Sequence, residues 1–316
     1  MNSKELSVAV LIPCYNEESA VAQVVSGFRK ELPAARIYVF DNNSRDRTVE
    51  VARTAGAEVR HSRLQGKGNV VRHMFSDVDA DVYVLVDGDA TYDAGAVRAM
   101  IRRLVDDGLD MVVGKRISTA SEAYRAGHEF GNRMLTGFVA TLFGRSFTDI
   151  LSGYRVFTRR YVKSFPALAT GFETETELTV HALELRMPIA EVDTAYGARP
   201  EGSVSKLNTY RDGFRILRTI LRLFRLERPI WFFSIIAAVL AVAGCLLSIP
   251  ILQTYLQTGL VPRIPTVVLI IGLGLMSLQF YLSGLMLDAV AYGRREAKRL
   301  VYLSHDPAPS NGRVSL

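Results

Sequence analysis

Val82-Tyr83-Val84-Leu85-Val86-Asp87-Gly88-Asp89 is a run of apolar, largely β-branched residues that stops abruptly at two carboxylates separated by glycine. A short apolar run of this kind reads as a strand buried on both faces, as in a parallel sheet covered by helices. Ligands of such sheets bind in the crevice beyond the carboxyl ends of the strands. Two carboxylates there repel each other unless a cation lies between them. Hard oxygen donors suit Mg2+ or Mn2+, ions that also bridge phosphates. Asp-Gly is equally a common turn dipeptide, so the triplet by itself leaves a plain turn open.

Outward from this strand the chain alternates. Residues 6–13 read as a first buried strand, followed by Cys14-Tyr15-Asn16-Glu17-Glu18 and a helix to about residue 32. Residues 36–40 form a second strand closed by Asp41-Asn42-Asn43-Ser44, with Ser44 or Asp46 as N-cap of a helix to about residue 55. A third strand over 57–60, a helix from Lys67, the fourth strand over 82–86, a helix over 94–106 and a strand over 110–113 follow. Strands alternating with helices predict βαβ units in a mostly parallel sheet, an α/β architecture. Three polar loops, at 15–17, 41–44 and 87–89, then gather at one edge. Gly66-Lys67-Gly68 opens a helix and reads either as a turn or as backbone N–H groups facing a phosphate.

The 316 residues carry a net charge of +6, consistent with an anionic partner, but the charge is unevenly spread. Residues 229–262 and 264–287 contain no Asp, Glu, Lys or Arg. Each run exceeds the roughly 20 apolar residues that a bilayer-crossing helix needs. The predicted spans are about 230–252 and 265–288, with 253–263 as connector. Arg218, Arg222, Arg225 and Arg228 precede the first span, and Arg294, Arg295, Lys298 and Arg299 follow the second. The connector holds Arg263 alone, so both termini are expected in the cytoplasm. Residues 1–5 are polar and 6–13 too short for a signal-peptide core. Arg211, Arg215, Arg218, Arg222 and Arg225 fall on one helical stripe among Phe214, Ile216, Leu217, Ile220 and Leu221. A helix of this kind running straight into a span suits an anionic headgroup surface better than nucleic acid. Residues 130–142 form a second amphipathic stretch, for the same interface or for the core. Cys14 and Cys245 fall on opposite sides of the domain–membrane divide and lack metal-ligand spacing, so Cys14 reads as a small apolar filler.

The order IPCYNEE, DNNS, GKG and VDGD, then Asp149-Ile150-Leu151-Ser152-Gly153-Tyr154-Arg155 and Gly202-Ser203-Val204-Ser205-Lys206, resembles the family 2 glycosyltransferases of GT-A fold. With the apolar hairpin, the pattern is similar to the polyprenyl-phosphate branch related to dolichol-phosphate mannosyltransferases. The resemblance covers about residues 7–228. It implies a Rossmann-like nucleotide-sugar-binding catalytic domain over 1–206, an amphipathic interfacial helix over 207–228, two transmembrane helices within 229–292 and a cytoplasmic tail over 293–316. It implies that Pro13, Tyr15, Asn16 and Glu17 hold the nucleotide, that Asp41 recognises the base, and that Asn43 and Lys67 face the same ligand. Asp87 and Asp89, flanking Gly88, match the family's metal motif for Mg2+ or Mn2+. The chain departs at Thr91, where that branch carries Gln, which puts a third protein ligand in doubt. Arg116, Asn132 and Arg133 match positions for the acceptor phosphate, joined by Ser152 and Arg155, while Arg199, Ser205 and Lys206 close over the diphosphate or the acceptor. Asp89, Asp149, Arg116 and Lys206 are the expected catalytic set.

The chemistry of the residues agrees. A leaving diphosphate needs neutralising, which a divalent ion with Arg and Lys supplies. A hydroxyl acceptor needs a general base. A monophosphate, with a second pKa near 6, is already largely ionised. Asp149 therefore reads as a residue that orients an Arg or Lys rather than as a base. Glu173, Glu175 and Glu177 lie at i, i+2 and i+4, the first and third on one helix face, and read as solvated or paired with arginines. The expected function is inverting transfer of one sugar from a UDP- or GDP-sugar to a polyprenyl phosphate, undecaprenyl or dolichyl, on the cytoplasmic leaflet. No nucleic acid is expected, and a homo-oligomer, dimer or tetramer, suits so thin an anchor. Two other readings compete. A processive polysaccharide synthase would carry QxxRW and a longer membrane channel, whereas the single Trp here is Trp231 in the first span. A membrane scaffold or flippase subunit gives no reason for the DGD edge and the GSVSK loop to occur together.

Overall fold

The computed structural model describes residues 5–118, 136–141, 148–168, 171, 173–198, 218, 221–261 and 263–307. Strands β1 (Val8–Cys14), β2 (Arg36–Asp41), β3 (Glu58–His61), β4 (Val82–Leu85), β5 (Met111–Ser118), β6 (Arg155–Thr158) and β7 (Ile189–Tyr196) form a seven-stranded sheet in the order β3-β2-β1-β4-β6-β5-β7. All neighbours pair in parallel except β6, which inserts antiparallel between β4 and β5. The sheet is thus mostly parallel, as expected. The reversed β6 brings its own start, Arg155, to the edge where the other strands end.

Helices α1 (Val21–Glu31), α2 (Thr48–Thr54), α3 (Lys67–Asp77), α4 (Val97–Asp106), α5 (Arg159–Ser164) and α6 (Thr174–Glu184) complete this part of the fold. The central strands are apolar on both faces because both are covered: Val10, Leu11 and Ile12 of β1 and Val82, Tyr83, Val84 and Leu85 of β4 are buried. One face joins Val21, Val25 and Phe28 of α1 with Val97, Met100, Ile101 and Leu104 of α4 in a single core cluster. Elsewhere Phe75 of α3 meets Phe157 and Phe165 edge-on, and Tyr161 of α5 stacks on Phe157. Burying each such side chain stabilises the fold by roughly 1.5–3 kcal/mol.

Two boundaries differ from the sequence expectation. Helix α2 starts at Thr48: Ser44 Oγ serves the neighbouring loop, accepting from Asn16 N (2.9 Å), while Asp46 Oδ1 accepts from the first helical N–H, that of Thr48 (3.0 Å). Strand β5 runs on to Ser118, because it pairs with β7 from Met111↔Ile189 to Ser118↔Tyr196.

The chain divides into two compact units, Met1–Ile216 with Ala297–Leu316, and Leu217–Glu296. The second contains α7 (Pro229–Thr258) and most of α8 (Ile264–Leu303), the two helices long and apolar enough to cross a membrane. Both outrun the predicted spans. With 40 residues at about 1.5 Å each, α8 is about 60 Å long, twice a hydrocarbon core of about 30 Å. Trp231, Ile235, Val239, Leu246, Leu275 and Met286 are exposed, an apolar belt that suits lipid contact. Inside the hairpin Ser277 Oγ donates to Ala237 O (2.8 Å), Phe233 stacks on Phe280, and Gly284 lies so close to Phe233 that a Cβ would come within 3.0 Å of Phe233 Cβ. Arg294 Nη2 donates to Leu226 O (2.8 Å) and Glu227 Oε1 (3.4 Å). Of the basic stripe, Arg218, Arg222 and Arg225 are exposed on helical backbone, while Arg211 and Arg215 lie outside the described residues. Of the stretch 130–142, only the helical residues 136–141 are described.

The expected tail over 293–316 needs correction. Helix α8 continues through it to Leu303, and Ala297–Leu316 belong to the sheet-containing unit. Lys298 Nζ lies 2.6 Å from the buried Glu184 Oε2. Tyr302 OH donates to Asp110 Oδ2 (2.7 Å), with Arg160 over its ring. Asp110 is fully buried and also accepts from Thr158 Oγ1 (2.8 Å) and Arg160 Nη2 (2.8 Å). Removing one partner of a buried ion pair strands the other charge, typically at a cost of about 3 kcal/mol or more. Lys298→Met is therefore expected to lower the thermal midpoint by roughly 5–10 °C, with Lys298→Arg well above it, in melts of the detergent-solubilised chain followed by near-UV circular dichroism.

Candidate functional site

The carboxyl ends of β1, β2, β3, β4, β5 and β7 and the start of β6 share one edge. The loops there are laced to one another. Asn16 N donates to Ser44 Oγ, Arg45 N to Asn16 Oδ1 (2.8 Å), and Glu17 N to Thr48 Oγ1 (2.9 Å), with Glu17 itself buried. Pro13 and Tyr15 flank them, both half-buried. Asp41 is buried, accepts from Ser44 N (3.2 Å) and lies 3.0 Å from His61 Nδ1. Asn42 N donates to Cys14 O (2.9 Å), and its side-chain amide donates to Ser62 O and Leu64 O while accepting from Gly66 N (2.8 Å). That amide fixes the turn into α3. Asn43 Nδ2 reaches Arg63 O and Gln65 Oε1 beside it. Three of these loops turn through a left-handed residue: Asn16 (φ 53°), Asn43 (φ 64°) and Ala90 (φ 57°). Asn adopts that region readily and Ala does not.

Asp87 and Asp89 stand just past β4. Asp87 Oδ1 lies 2.5 Å from Lys67 Nζ, and the same ammonium contacts Glu175 Oε1 at the start of α6. Burial alone would lower the Lys67 pKa, but the charges of Asp87 and Glu175 outweigh it and raise it, so the ammonium stays charged. Gly153 packs against Asp87 so closely that a Cβ there would collide with Oδ2. Gly88 has the same requirement, since a Cβ would come within 2.5 Å of Cys14 Sγ. Burial, then Glu17 and Asp41, push the Cys14 thiol up, so it remains a neutral filler. Asp89 is buried, and its Oδ1 accepts from Thr91 Oγ1 (2.6 Å), which gives Thr91 an orienting contact.

Across the edge, Arg116 grips Asp149 with two parallel bonds, Nε to Oδ2 and Nη2 to Oδ1, each 2.7 Å, and its backbone N adds a third. Burial pushes the Asp149 carboxyl up, but the Arg116 hydrogen bonds and charge outweigh it and hold it below the usual carboxylate range. Tyr92 OH accepts from Gly153 N (2.8 Å), and Arg116 also lies over the Tyr196 ring. Two expected acceptor contacts need correction. Arg155 is fully buried and its guanidinium donates to Ser152 O, Ile150 O and Thr179 Oγ1. Ser152, also fully buried, donates to Gly114 O (2.5 Å). Both shape the 149–155 loop from within, because an arginine at the start of a central strand points into the core. Asn132, Arg133, Arg199, Ser205 and Lys206 lie outside the described residues.

Sequence reasoning missed three site residues. Glu175, read together with Glu173 and Glu177 as solvated or paired with arginines, is the one turned inward, between the buried Thr174 and Thr176. His61 carried no local signal. Asn42 sat inside a quoted motif without its loop-pinning role.

The model of glycosyl transferase family 2 matches residues 9–165. Glycosyltransferase AglJ of Haloferax volcanii is 31% identical over 297 residues, which covers 93% of this chain and 97% of AglJ. The chain belongs to glycosyltransferase family 2. This glycosyltransferase is also similar to the dolichyl-phosphate hexose transferase of Haloferax volcanii, 29% identical over 222 residues, 70% of this chain and 95% of that protein. In fold it resembles the Mycobacterium tuberculosis glucosyl-3-phosphoglycerate synthase solved with Mn2+, UDP and glucosyl-3-phosphoglycerate, with a TM-score of 0.57 at 21% identity over 69% of this chain and 79% of that one.

Among the described residues no three His, Cys, Asp or Glu side chains cluster to enclose a metal. Mg2+ and Mn2+ do not require it, since one or two carboxylates suffice when substrate phosphates complete the shell. Asp87, partly exposed, and Asp89 beyond the same strand end supply that hard-oxygen pair, so the residues fit such an ion.

Two outcomes follow. Ala90→Gly relieves a left-handed alanine and is expected to stabilise the chain by roughly 0.5–1 kcal/mol, read as a higher thermal midpoint. Asp149 has a depressed folded-state pKa, so its stabilisation is present above the ordinary carboxylate pKa of about 4 and is lost as pH falls below it. Asp149→Asn is expected to be less stable at pH 7 and to lose less stability than the parent between about pH 4 and pH 2.

Proposed function

We propose that this glycosyltransferase moves one sugar from a UDP- or GDP-sugar to a polyprenyl phosphate, with inversion, on the cytoplasmic face of a membrane. The observation that carries this reading is the occurrence, in one chain, of Asp87, Asp89 and the Arg116–Asp149 pair at one sheet edge and of two bilayer-length apolar helices. The dolichyl-phosphate transferase likeness and the Mn2+ and UDP of the structural neighbour support it.

In this reading each residue has a role. Residues 13–17 and Asp41 line the end of the crevice that takes the nucleotide, where Asp41 offers acceptors to the N–H groups of uracil or guanine. Asp87 and Asp89 would hold Mg2+ or Mn2+, whose charge neutralises the departing diphosphate. Arg116, fixed in place by Asp149, presents a cation for the acceptor phosphate. Asp149, held ionised by that contact, orients Arg116 and does not serve as base. The phosphate needs none, because its ionised oxygen attacks the anomeric carbon opposite the leaving diphosphate. Exposed Arg218, Arg222 and Arg225 attract the anionic leaflet from which the lipid comes. By resemblance, Lys206, Ser205 and Arg199 close over the diphosphate and Asn132 and Arg133 meet the acceptor.

The test incubates the purified full chain in detergent with Mg2+ or Mn2+, undecaprenyl or dolichyl phosphate and labelled nucleotide sugars, and extracts the lipid. Label in the organic phase with one donor, reduced at least about 100-fold in Asp89→Ala, is expected. Nucleotide release without lipid label would overturn the acceptor assignment.

A further inference from the structure

The Lys67 ammonium lies on the carboxylate that this edge would offer a divalent ion. It bridges Asp87 Oδ1 and Glu175 Oε1, and the Lys67 and Glu175 side chains are only 12% and 8% exposed. The other Asp87 oxygen, Oδ2, packs against the Gly153 backbone, on a side where not even a Cβ fits. Asp89 is oriented separately, through Thr91. A dication approaching this edge therefore meets a carboxylate with one oxygen under a cation and the other against the chain.

We propose that Lys67 is an internal competitor for the divalent ion: anchored by Glu175, it shares Asp87 with the metal and makes metal binding depend on the nucleotide. The inference rests on the nucleotide-sugar reading above. A dication gains about twice the Coulomb energy of an ammonium at equal distance from a carboxylate. Displacing Lys67, however, leaves its charge to be accommodated in a largely buried place. A nucleotide diphosphate at the same edge supplies a second anionic partner, beside Glu175, in place of the Asp87 contact that the ammonium gives up. Metal and nucleotide then each tighten the other's binding by the same factor, as linkage requires. Lys67 and Glu175 are positioning residues here, acting through Asp87.

The experiment titrates Mn2+ into the full chain in detergent, reading free Mn2+ by electron paramagnetic resonance, with and without UDP or GDP. The parent is expected to bind Mn2+ at least about 10-fold more tightly with its preferred nucleotide than without. Lys67→Met removes the competitor and is expected to raise nucleotide-free Mn2+ affinity and to shrink that factor. Since this variant strands Glu175, the double variant Lys67→Met with Glu175→Gln, which leaves only the partly exposed Asp87 without its cation until metal binds, is measured beside it with a thermal melt as the check on folding. Glu175→Gln alone turns Lys67 wholly onto Asp87 and is expected to weaken Mn2+ binding. Unchanged or weaker nucleotide-free Mn2+ affinity in the folded double variant overturns the proposal. So does a parent chain whose Mn2+ binding ignores the nucleotide. If Lys67 were only a phosphate ligand, nucleotide affinity would fall with nucleotide-free Mn2+ affinity untouched, which also overturns it. No sugar or lipid enters this titration. A positive result without label transfer would sink the lipid-acceptor reading alone.

Discussion

Carboxylates gathered at the ends of a buried sheet are stable only where a cation or hydrogen-bond donors are held against them, since an unpaired buried charge costs several kcal/mol. The fold is organised to meet that condition. Lys67 serves Asp87 and Glu175, Arg116 serves Asp149, and Arg160 serves Asp110 at the far end of the sheet. Each pair joins segments distant in sequence, so the charges that make the crevice chemically useful also tie its loops together. The antiparallel insertion of β6 belongs to the same arrangement. It delivers the 149–155 loop to the strand ends, with Asp149 beside Arg116 and Gly153 against Asp87.

That condition explains which parts could be read from sequence. Strands β1, β2 and β4 were legible because both faces are covered, which leaves a continuous apolar signature, and their polar terminations located the crevice. The apolar helices were legible for a related reason, since charge-free runs of that length have few other uses. β6 escaped because it has only four residues and opens with an arginine, which does not read as the start of a buried strand. β7 alternates apolar and polar residues only from Ala190 to Asp193, too short a stretch to stand out.

At the site, a residue type showed that it carried charge and not where the charge pointed. Arg155 looked like a phosphate ligand and is a core residue, while Glu175 looked like surface and is buried against Lys67. Orientation of this kind is decided by tertiary packing, which no local spacing encodes. Tyr302 and Lys298 likewise looked like the start of a tail. Their partners, Asp110 and Glu184, lie far back in the chain, so nothing near them in sequence marked them as part of the catalytic fold.

The small residues inside the hairpin bear on how the chain responds to lipid. Gly284 lets α8 close on Phe233, and Ser277 is bonded to the Ala237 carbonyl, so α7 and α8 cannot slide past one another without breaking contacts. Were the pair to cross a bilayer thinner than its apolar belt, tilting as a single slab would break fewer of these contacts than independent adjustment of each helix. Membrane thickness would then act as a mechanical input, felt as a change of angle rather than of helix spacing.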